Sequence, residues 1–134
     1  MNHDPETATT ESLAREFFAA IEARDPYRLQ ATLAPQATFR ALPHTAPVRP
    51  ADEIVAYFGA VVTSYPTAHW DVVDVIAQGG RAAVQLVIRE YSPRLGHERL
   101  SEQVAIVHAV SGQIVSIVGH YDSAEFHRLF WEED

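Results

Sequence analysis

The chain has no cysteine and no lysine: among its 134 residues the ten basic side chains are all arginine. Without a thiol there is no disulfide framework, no thiolate nucleophile and no cysteine-based metal site. Without a lysine there is no Schiff-base chemistry on a side chain. Cations are also outnumbered, ten against eighteen acidic residues, for a formal net charge of −8. Affinity for nucleic acid rests on clustered cations that displace counterions from phosphates, so no nucleic-acid partner is expected. No apolar run approaches the roughly 20 residues of a membrane span, so no membrane partner is expected either. Met1 to Glu6 lack the cationic start and apolar stretch of a secretory signal, which leaves a cytoplasmic location as the expectation.

Metal and phosphate chemistry find equally little support. No H-x-H or H-E-x-x-H spacing occurs, His97 beside Glu98 has no second histidine to complete a zinc helix, and Gly79 with Gly80 reads as a hairpin rather than a phosphate loop. The expectation is therefore no metal and no cofactor. Any chemistry would run on histidine, carboxylates, tyrosine, arginine and water.

Along the chain the apolar period changes from helical to alternating. Leu13, Phe17 and Ile21 share one helical face, widened by Phe18, with Thr9 or Thr10 as the N-cap. Asp25 followed by Pro26 is a cap and first-turn pair, predicting a short second helix to about Leu33. Ala37 to Leu42 reads as a strand, and His44 to Pro50 as a proline-rich loop. Pro50, Asp52 and Glu53 start a third helix that buries Ile54, Tyr57, Phe58, Val61 and Tyr65. Three long β-segments follow, from His69 to Gln78, Arg81 to Tyr91 and Glu98 to Val110. Gly79 and Gly80 join the first two, and Ser92 to Gly96 the next two. Residues 1–9 are expected to be disordered, 10–131 to form one domain, and 132–134 to be a solvated acidic tail.

The segment Gly112 to Phe126, GQIVSIVGHYDSAEF, holds the most specific pattern. Ser111 and Gly112 suit a tight turn, Ile114 to Val118 a buried strand, and Asp122 with Glu125 a helix capping box. The pattern G-[KQ]-I-V-x-x-x-x-[YH]-[FY]-D-x-x-x-[FL] resembles the last strand of SnoaL-like proteins of the nuclear-transport-factor-2-like superfamily, relatives of ketosteroid isomerases and limonene epoxide hydrolases. Two further stretches resemble the same family in order: Arg15 to Asp25 its first helix, and Leu33 to Phe39 its first strand. The resemblance implies an α+β fold, a strongly curved, mostly antiparallel sheet wrapped like a cone around the N-terminal helices, in the order α-α-β-α-β-β-β-β-α. It also implies an apolar pocket. Its catalytic members carry an essential aspartate where this chain has Gly119, and the isomerase tyrosine and base fall at Phe17 and near Ala41.

Polar groups on apolar strand faces are the places to seek a site, because burying them costs desolvation unless they are paired or used. In the segment Glu98 to Val110 the more apolar face carries Leu100, Glu102, Val104, Ile106, His108 and Val110, so Glu102 and His108 are expected to face inward. Glu90, at the end of the apolar face of Arg81 to Tyr91, would approach Glu102 across the hairpin, and two close carboxylates suit acid–base work. His69, opening a strand, and Asp122 complete the candidate catalytic set. Phe17, His44, Ile54, Tyr57, Phe58, Ile117, Gly119 and Tyr121 are the candidate ligand-binding set. Two functions remain open. One is a cofactor-free enzyme cyclising, isomerising, dehydrating or opening an epoxide on a polyketide-, terpenoid- or steroid-like molecule. The other is a non-catalytic module that binds a small apolar ligand or serves mainly as a homodimerising scaffold. A homodimer is expected through the outer sheet face, along Ala105, Val107, Ala109, Ser116 and Val118.

Overall fold

The computed structural model describes residues 4–42 and 46–121. Its elements are α1 (Pro5–Glu22), α2 (Pro26–Thr32), β1 (Leu33–Leu42), α3 (Ala51–Ser64), β2 (His69–Gln78), β3 (Arg81–Ser92), β4 (His97–Val110) and β5 (Gln113–Tyr121). The helix expected after Asp122, and the acidic tail, lie outside the described residues.

Helix α1 begins five residues before Thr10. Asp4 is its N-cap, accepting from the Thr7 amide at 2.7 Å, with Pro5 at the first helical position. The helix therefore takes in most of the segment read as disordered. Thr10 does not cap; its hydroxyl bonds the Glu6 and Gly79 carbonyls at 2.8 and 2.7 Å and ties the helix to the β2–β3 hairpin. Asp25 caps α2 as its sequence predicts, accepting from the amides of Tyr27 and Arg28 at 3.1 Å.

The five strands form one curved sheet in the order β1-β5-β4-β3-β2, with β1 and β5 parallel and the other neighbours antiparallel. Register breaks at Leu33/Thr38, Val72/Asp74 and His108/Ala109 bend it, as extra residues in a ladder do. Val48 pairs back onto Phe39 and covers part of the β1 edge. Two glycines are dictated by close approach or by backbone sign. A Cβ on Gly80 would stand 2.5 Å from the Ala109 carbonyl oxygen, and Gly112 has φ +78° beside Ser111 at +53° in the β4–β5 turn.

Helices α1 and α3 pack on the concave side. A run of aromatic rings leads outward from the core: Phe17 meets Phe18 and Phe58 edge-on at centroid distances of 5.0 and 5.5 Å, and Phe39 meets Phe58 at 5.0 Å.

Strand β4 faces the other way from its sequence expectation. Ser101, Ala105, Val107 and Ala109 are buried on the concave side, while Leu100, Glu102, Val104 and Val110 are exposed on the convex side. The cause is register. The turn at 93–96 pairs Ser92 with His97 and Tyr91 with Glu98, so even-numbered residues of β3 oppose odd-numbered residues of β4. The Ala105, Val107 and Ala109 strip assigned to a dimer contact is thus part of the core.

Candidate functional site

The concave face closes around a cavity of about 290 Å³. Neighbouring strands stack its sheet wall in rows of Cα partners. Ala41, Gly119 and Ala105 make one row across β1, β5 and β4. Tyr121, Gln103 and Leu86 make the next, across β5, β4 and β3, and Ile88 pairs with Trp70 beyond it. Tyr57, Phe58, Val61 and Tyr65 of α3 and its end supply the opposite wall, and Phe18, Phe39 and Ile117 close the inner end.

Its polar groups are few: the hydroxyls of Tyr57, Tyr65 and Tyr121, the Gln103 carboxamide and the Trp70 indole. No carboxylate or imidazole among the described residues lines it. Burial pushes the Tyr57 phenol above its ordinary value, and the nearby Tyr121 and Tyr65 hydroxyls push in the same direction. Burial also raises Tyr121. Both are therefore neutral donors through the physiological range. Gln103 donates to the Ser101 hydroxyl at 3.3 Å on the same face.

The sequence candidates divide by face. Tyr57, Phe58, Ile117, Gly119 and Tyr121 line the cavity. Phe17 and Ile54 do not; both are wholly enclosed in the core. Glu102 lies exposed on the convex face opposite Val87, and His108 half-buried on that face between Arg81 and Ser116. Neither meets the cavity, because the β3–β4 register turns both away from it.

Glu90 does face inward, just beyond Ile88, but Glu102 is on the other side of the sheet and the two carboxylates do not meet. Glu90 is instead ion-paired with its cross-strand partner Arg99 at 2.8 Å and accepts from the Thr67 hydroxyl at 3.3 Å. His69 points away from the cavity, its Nδ1 2.7 Å from Glu22, whose other oxygen accepts the Trp70 amide at 2.9 Å. That clamp, with the Arg24 guanidinium 5.5 Å from the Trp70 ring centroid, fixes the tryptophan wall. His44 and Asp122 lie outside the described residues.

Gln103, Tyr65 and Trp70 are cavity residues that the sequence reading did not select. Gln103 was misplaced with its strand; the pairing of Tyr91 with Glu98 was the signal that would have found it.

The sequence profile of the SnoaL-like domain family matches residues 14–117, well over half of the chain. The chain belongs to the SnoaL-like domain family. Solved structures agree at the level of fold. A candidate SnoaL-like polyketide cyclase from Jannaschia sp. CCS1 superposes with a TM-score of 0.82 at 14% identity, covering 99% of each chain. An NTF2-like protein of unknown function from Burkholderia pseudomallei K96243 gives 0.78 at 22%, covering 92% of this chain and 98% of that one. A limonene-epoxide-hydrolase-like enzyme from M. tuberculosis gives 0.75 at 13%, covering 93% and 92%. No protein of curated function matches the sequence. Within this SnoaL-like chain, two positions where the family resemblance places a catalytic carboxylate, 119 and the neighbourhood of 41, carry Gly119 and Ala41, and both line the cavity.

Proposed function

We propose that the chain binds a small, flat, largely apolar molecule with one carbonyl or hydroxyl group, held by the Tyr57 and Tyr121 phenols and the Gln103 carboxamide. One observation carries this reading: an apolar cavity of about 290 Å³ whose polar groups among the described residues are neutral donors and an amide. That volume lies at the small end of the roughly 300–1,000 Å³ range of ligand pockets. Neutral phenols at an apolar wall orient a carbonyl, while a bulky or charged ligand would lose its hydration without a compensating partner.

Binding of 2-naphthol, followed through Trp70 fluorescence in a Trp131→Phe background, tests the reading. Tyr57→Phe and Gln103→Leu are each expected to weaken binding about threefold to tenfold, the worth of one neutral hydrogen bond. Unchanged affinity in both variants would remove these groups from the contact.

Acid–base catalysis is the second reading, supported by the same phenols. A neutral phenol donating to a carbonyl oxygen stabilises the enolate that forms when a neighbouring carbon loses its proton. The base must come from elsewhere than the described walls. His44 and Asp122 are the candidates the sequence leaves.

The convex face supports a homodimer on a different patch from the one first expected. Val104, Ile106 and Val118 form its apolar centre, with Ile106 opposite both Val118 and Ala83. Arg40 lies to one side on β1 and Glu102 and Asp74 towards the other, so a twofold apposition sets opposite charges together. Light scattering is expected to give twice the 14.9 kDa of one chain. Val104→Glu should return it to one; a parent mass of 14.9 kDa would refute the dimer.

A further inference from the structure

Gly119 occupies the interior of a central strand, a place where glycine weakens a sheet and usually marks something coming close to the backbone. Among the described residues nothing in the backbone or its neighbours requires it. Its backbone is not in the left-handed region that Gly79, Gly96 and Gly112 adopt, with φ of +58°, +74° and +78°. Among the described residues a Cβ built there would meet only the Arg40 carbonyl oxygen, at 3.9 Å, an ordinary contact, whereas on Gly80 it would collide with backbone. Gly59 has similar freedom but lies exposed on α3. Gly119 is the unforced glycine in the wall of the cavity that carries the phenols and Gln103.

We infer that Gly119 is a specificity-determining residue: its missing side chain leaves room for a flat fused ring to lie directly on the sheet, between its cross-strand neighbours Ala41 and Ala105. Tyr57 and Phe58 of α3 face the ring from the other wall, and Tyr121 and Gln103 stand one row further along, where a hydroxyl on the ring edge reaches them. The position thus supplies space and no reacting group, and it selects ligands by thickness. This assignment rests on the cavity-binding reading above.

The functional and structural explanations of the glycine predict opposite signs. If a ligand occupies the space, Gly119→Ala fills an empty volume in the unliganded protein, and Tm rises by about 2–4 °C because alanine is the better strand residue. The same methyl group then obstructs a planar ligand. Affinity for 2-naphthol should fall at least tenfold in Gly119→Ala, the discrimination that one methylene-sized change gives in an apolar pocket, and further in Gly119→Val. Affinity for 1-octanol, a flexible chain that can bend past the new group, should change less than threefold.

A lower Tm in Gly119→Ala would show that the glycine serves the fold and would overturn the inference. So would unchanged naphthol affinity, or an equal loss for naphthol and octanol, which would mean lost volume rather than lost flatness. A parent protein that binds neither probe would remove the cavity-binding reading and this inference with it, while normal parental binding that both variants retain removes the Gly119 assignment alone.

Discussion

Arg99→Met should cost roughly 3–5 kcal/mol of folding stability, because removing one partner of a buried pair leaves the other charge uncompensated. The Arg99 and Glu90 side chains are only 14% and 9% exposed, and their contact is 2.8 Å long. Without Arg99, the described partner left to the Glu90 carboxylate is the Thr67 hydroxyl at 3.3 Å. The double variant Glu90→Leu with Arg99→Met removes both charges of this pair and should recover much of the loss, since ion pairs buried at this depth often do no better than apolar residues of similar volume. Urea unfolding of the two single variants and the double variant closes the cycle. A loss below about 1 kcal/mol for Arg99→Met would place the pair in the class of solvated surface bridges. The same geometry explains why Glu90 is a poor general base: both of its oxygens are engaged, one by the Arg99 guanidinium and the other by the Thr67 hydroxyl.

Phe17→Ala should be of similar size, about 3–5 kcal/mol, the range for deleting a buried aromatic ring. Phe17 is 0% exposed and abuts Phe18 and Phe58 edge-on. Against a typical total of 5–15 kcal/mol, that loss brings the chain close to unfolding. The outcome separates two roles. A ligand-contact residue would lose binding and keep its denaturation midpoint; Phe17 is expected to show a lowered midpoint, with Phe17→Leu intermediate. A retained midpoint in Phe17→Ala would mean that the surrounding rings collapse into the space.

Local chemistry was legible in the sequence where a single residue pair decides the backbone. Asp25 with Pro26, Gly79 with Gly80 and Ser111 with Gly112 each formed the cap or turn their types require. Asp4 with Pro5 carries the same cap signature as Asp25 with Pro26, yet the threonines drew the predicted start to a later turn. The face of β4 was not legible from its own residues, because both of its faces are apolar. The alternation rule supposes that one face meets water. Here Val104 and Ile106 of the convex face outweigh the small Ala105 and Ala109 of the concave one, and small residues suit the inside of a tightly curved sheet. Orientation was fixed by the hairpin to β3, a constraint outside the strand. The candidate site split along that line. Residues of α3 and β5 were found because Ile54, Phe58, Ile114 and Ile117 leave no doubt which side is buried. Gln103 was lost, and Glu102 and His108 gained, by a single inversion.

Strand β5 is the last described strand but lies between β1 and β4 in the sheet. As the chain emerges during synthesis, the meander of β2, β3 and β4 can pair locally, since each neighbour follows directly on the last. The bare edge of β4 and the inner edge of β1 must wait for β5, a long-range closure of the kind that slows folding. Until then both edges offer unpaired amides and carbonyls to other chains. The cavity wall made by Ala41, Gly119 and Ala105 does not exist before that moment. Formation of the cavity and completion of the sheet are therefore one late event, and a ribosome-stalled chain ending before Gln113 would have exposed edges and an unfinished cavity wall.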